Sequence, residues 1–97
     1  MIKNNIMSNK RILKRTINNV FDILVSECIA TSLYDGKHHG ENLNALISSI
    51  FTMRNDLISR ISHPEPGMKQ REYYKNLIAD FHKDTNEIID QISNLIA

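Results

Sequence analysis

The chain of 97 residues reads as an all-α protein, an up-down-up bundle of three helices. Three observations predict this. Apolar residues recur at spacings of three and four through three long segments, as they do on a helix with one buried face. No segment shows the strict alternation of a half-buried strand. Two short turn-forming stretches, Asp35-Gly36-Lys37-His38-His39-Gly40 and His63-Pro64-Glu65-Pro66-Gly67, separate the helical segments. Connections that short join antiparallel neighbours. The helices are expected over about 8–34, 41–62 and 68–95, within a single domain with no room for a second core.

The first helix, 12–34 at its most regular, carries an unusually wide apolar arc. At about 100° per residue, Leu13, Ile17, Val20, Leu24, Cys28 and Thr31 form its centre. Ile12, Ile23, Ala30 and Tyr34 widen it on one flank, and Phe21 and Val25 on the other. The arc spans about 200°, roughly twice what one neighbouring helix covers. Ile2 and Ile6 extend the stripe, with Asn4 or Ser8 as the N-cap and residues 1–7 expected to fray. Asp35-Gly36 stops the helix, Gly36 being suited to a left-handed residue after the last turn.

In the second helix Leu43, Leu46, Ile47, Ile50, Leu57, Ile58 and Ile61 recur at helical spacing. Glu41 suits the positive end of the helix dipole. Pro64 disfavours helical geometry at His63 and ends the helix. Pro66-Gly67 is placed for a type II turn. The third helix has the cleanest pattern, Tyr74, Ile78, Phe81, Thr85, Ile88, Ile92 and Leu95 forming a heptad seam.

Charge and composition exclude several classes of function. Twelve basic against eleven acidic residues leave a net charge of +1, so bulk attraction to nucleic acid or to a membrane is absent. No stretch approaches the roughly 18 uncharged apolar residues of a transmembrane helix, and no signal peptide is expected. A single cysteine, Cys28, precludes an internal disulfide and suits a reducing compartment, with the cytoplasm as the expected location. On an apolar stripe it reads as a small buried hydrophobe rather than a nucleophile.

The four histidines do not make a metal site. His38 and His39 fall in the first turn, His63 in the second at the opposite pole, and His82 midway along the third helix. They cannot converge within the roughly 2.3 Å that a zinc ligand requires. His38 and His39 with Glu41 could hold at most a surface ion. The expectation is therefore no metal, no cofactor and no catalytic residue.

Two polar features stand out. Arg54 and Glu27 both fall inside apolar arcs, and an antiparallel pairing brings them within a turn or so of each other. They are expected to form a partly buried ion pair that sets helix register, because an unpaired buried charge is costly. Asp84 and Thr85 are further candidate partners. The second feature is a basic pole. The start of helix one, the end of helix two and the start of helix three gather Lys10, Arg11, Lys14, Arg15, Arg60, Lys69, Arg71 and Lys75. Tyr73 and Tyr74 are interleaved with them, and Glu65 and Glu72 dilute them. Such an end could hold nucleic acid, phosphate or an acidic protein. No recognition-helix spacing or RNA-binding fingerprint accompanies it.

Two stretches carry a resemblance: Glu27-Cys28-Ile29-Ala30 with Leu33-Tyr34, and Ser62-His63-Pro64-Glu65-Pro66-Gly67-Met68. They resemble segments of a family of small all-helical bacterial proteins with no assigned function. The resemblance implies a helical fold and transfers no activity or site. The reading that emerges is a non-enzymatic interaction or adaptor module that self-associates as a homodimer and possesses helical faces for a protein partner. The alternative is an accessory protein that binds nucleic acid or anions weakly through the basic pole.

Overall fold

A computed structural model describes residues 6–34 and 40–95. Helix α1 spans Ile6–Tyr34, α2 spans Gly40–Ser62 and α3 spans Gln70–Leu95. Each packs on the other two in an up-down-up bundle, and the described residues include no strand. The helix starts differ slightly from expectation. α1 spans Ile6–Tyr34, so Ser8 lies within it. Asn4, the stop at Asp35-Gly36 and the pair His38-His39 lie outside the described residues.

The second turn departs from type II geometry. The Met68 amide donates to the Glu65 carbonyl at 3.4 Å, closing a four-residue turn with Pro66 and Gly67 at its centre. Gly67 does not take the positive φ that type II requires at that position. Pro66 fixes its own φ and suffices to start the turn. Because Met68 is held in this turn, α3 starts two residues later than expected, with the Tyr73 amide donating to the Lys69 carbonyl at 2.9 Å.

Each helix contributes four side chains to one core. They are Ile17, Phe21, Leu24 and Cys28 from α1, Leu46, Ile50, Leu57 and Ile61 from α2, and Tyr73, Leu77, Phe81 and Ile88 from α3. The α1 set is spaced four, three and four, and the α2 and α3 sets fall at intervals of four and seven, the repeat of left-handed helix packing. Phe21 and Phe81 meet edge to face, with centroids 5.7 Å apart and planes at 62°. That geometry suits the ring quadrupoles.

This pair shifts two of the expected faces. Phe21, expected on a flank, sits at the centre of the α1 face, while Ile12 and Ile23 on the opposite flank are 53% and 60% exposed. α1 is thus turned by about 30° from the centre of its apolar arc. An arc wider than half the circumference fixes no single direction, so the largest side chain decides. α3 is turned too: Tyr73 and Leu77 are buried where Tyr74 and Ile78 were expected. The seam's other members stay half-buried or better, apart from Ile78 itself.

The bundle measures 51 × 26 × 17 Å, with a radius of gyration of 15.9 Å. A compact domain of this length has about 12.5 Å. The molecule is therefore elongated along its helices.

Candidate functional site

The basic pole is built around the α2–α3 connection, and its chemistry is largely taken up by the fold. The last carbonyls of a helix lack intrahelical donors. Here two tyrosines from α3 supply them. The Tyr73 hydroxyl donates to the Arg60 carbonyl at 2.9 Å and lies 3.5 Å from that of His63, and the Tyr74 hydroxyl donates to the Ile61 carbonyl at 3.1 Å. The two rings stand perpendicular with centroids 5.3 Å apart. Tyr73 and Tyr74 were expected only as residues interleaved with the basic ones of this pole. The structure instead employs both to close the end of α2.

Arg60 is likewise engaged. Its Nη1 lies 3.0 Å from an Asp80 carboxylate oxygen across the α2–α3 interface and 3.7 Å from Asp56 one turn back. Burial alone would lower its pKa, but the hydrogen bond and charge of Asp80, assisted by Tyr73 and Asp56, raise it. Arg60 therefore leaves the anion-binding set, because its charge is already neutralised. Arg11, Arg15, Lys69, Arg71 and Lys75 remain exposed at this end, and Lys10 and Lys14 are half-buried. At the α2–α3 turn lies a shallow open depression of about 590 Å³, lined by Arg60, His63, Glu65, Met68 and Tyr73 among others and by none of these exposed or half-buried basic residues. At the opposite pole a depression of about 360 Å³ is lined by uncharged side chains, including Asn42, Ser49, Gln91 and Asn94.

The expected Glu27–Arg54 ion pair is not formed. Arg54 is half-buried, as its place in the apolar arc requires, but its head runs along its own helix. The guanidinium carbon lies 4.9 Å from the centroid of the Phe51 ring, and Nη2 donates to Asn55 at 3.3 Å. A long stem on apolar surface with the charge led out to solvent avoids the cost of burial. Glu27 is exposed. The physical reason is the rotation of α1. With Phe21 at the centre, Glu27 falls about 90° from the core line. Thr85, another candidate partner, donates to the Phe81 carbonyl of its own helix at 2.9 Å.

Helical geometry also assigns the edges of the bundle. The Arg60–Asp80 pair marks the α2–α3 edge. In a closed triangle the opposite edge of α2, with Ile47, Arg54 and Ile58, must border α1, as must the Ile78–Ile89 edge of α3. Because α1 runs parallel to α3, its Val20–Ile23–Glu27 flank lies on the α3 side and its Val25–Ser32 flank on the α2 side. Glu27 and Arg54 thus stand on opposite sides of α1.

Two titratable groups are perturbed by their surroundings. Burial pushes the Cys28 thiol up, and the charge of Glu27 adds to it, so the thiolate is disfavoured. Burial also raises Asp84, followed by repulsion from Glu87, Asp80 and Asp56. Among the described residues no group of three or more His, Cys, Asp or Glu side chains is arranged to hold a metal ion. No described helix is long and apolar enough to cross a membrane.

Sequence reasoning overlooked the tyrosine closure and the Arg60–Asp80 pair. The second carried a signal: two opposite charges ten residues either side of position 70, on facing antiparallel helices. The first carried none, since periodicity is blind to where a hydroxyl ends. Comparison of the chain with protein families, with characterised proteins and with solved structures finds no match.

Proposed function

We propose that the chain is a non-enzymatic helical interaction module that self-associates. The observation that carries this reading is the exposure of large isoleucines on the flanks of α1 and α3: Ile12, Ile23, Ile78 and Ile89, between 40% and 60%. Single exposed apolar residues are ordinary, but residues grouped along one side of a bundle mark a surface that meets another. A symmetric pair is the simplest way to cover such a side. A reducing compartment such as the cytoplasm suits the single buried thiol. Sedimentation equilibrium over a wide concentration range tests the reading. The expected result is a species of twice the 11.2 kDa chain mass that dissociates on dilution. A strict monomer throughout refutes it.

The second reading is weak binding of nucleic acid or another polyanion at the basic end. The exposed Arg11, Arg15, Lys69, Arg71 and Lys75 favour it. The loss of Arg60 to Asp80, and of both tyrosines to the end of α2, weighs against it. Binding to generic DNA or RNA should then appear at low salt and fall steeply as salt rises. No detectable binding at low salt removes this reading.

A further inference from the structure

We draw no further inference here: the strongest candidate, the apolar side of the bundle formed by Ile12 and Ile23 of α1 with Ile78 and Ile89 of α3, carries nothing beyond the self-association already proposed, because nothing in the structure shows what covers it.

Discussion

Along its α2-facing edge, α3 is fastened by a 3.0 Å ion pair from Asp80 to Arg60 and by two tyrosine hydroxyls on the last carbonyls of α2. Along its α1-facing edge the same helix presents Ile78 and Ile89, which no neighbour fully covers. One edge is finished with directional polar contacts that satisfy groups within the chain. The other has apolar surface left over. The lesson is that a helix can belong to a closed intramolecular interface on one side and an unfinished one on the other, with the boundary a single residue wide.

The largest expected effect uses that boundary. Leu77 is fully buried and Ile78 is 40% exposed. Leu77→Ala should cost about 2–5 kcal/mol of stability through lost burial and the cavity left behind. Ile78→Ala, measured by urea denaturation in protein dilute enough to be monomeric, should cost about 1 kcal/mol or less. Similar losses at the two positions would place the edge elsewhere.

An intermediate effect is expected from the polar fastening. Tyr73→Phe and Tyr74→Phe each keep the ring and remove one hydroxyl from the end of α2. Each should cost about 0.5–1.5 kcal/mol, and Tyr73→Phe, at the more buried position, should cost more. Amide hydrogen exchange should quicken at the last turn of α2 and stay unchanged along the α1-facing edge. Uniform quickening would mean that the hydroxyls hold the whole bundle rather than one edge.

The smallest effect concerns charge at the fastened edge. Asp84 is raised first by burial and then by Glu87, Asp80 and Asp56, so the folded chain holds its proton more tightly than the unfolded chain. The resulting penalty is absent below the unfolded-state value and fully present above the raised folded-state one. Asp84→Asn should therefore raise Tm at pH 7 by about 1–2 °C, with the gain fading towards about pH 3. A gain that grows on acidification would reverse the sign.

Much of this architecture is legible before folding. Three periodic segments, a proline that ends α2 and short connections suffice for the bundle and its direction. The rotational setting of α1 is not legible. Its apolar arc exceeds half a turn, so several faces satisfy the pattern equally, and only contact between Phe21 and Phe81 selects one. The Glu27–Arg54 pairing failed for that reason: a rotation of about 30° moves Glu27 out of reach. The basic pole is legible as a cluster, because it depends on topology alone. How much of it is free is not, since Tyr73, Tyr74 and Arg60 are committed by atoms at the ends of long side chains.

The tyrosine closure also has a bearing on time. Both hydroxyls reach carbonyls only 13 residues earlier in the chain. Loop closure over so short a distance loses little chain entropy, so the α2–α3 hairpin can assemble locally and early. If that hairpin forms ahead of the α1 contacts, substitutions at Leu77 slow folding while those at Ile17 mainly quicken unfolding. α1 carries two of the four exposed isoleucines, Ile12 and Ile23, and α3 the other two, Ile78 and Ile89, so the apolar side they share is complete only once all three helices are in place.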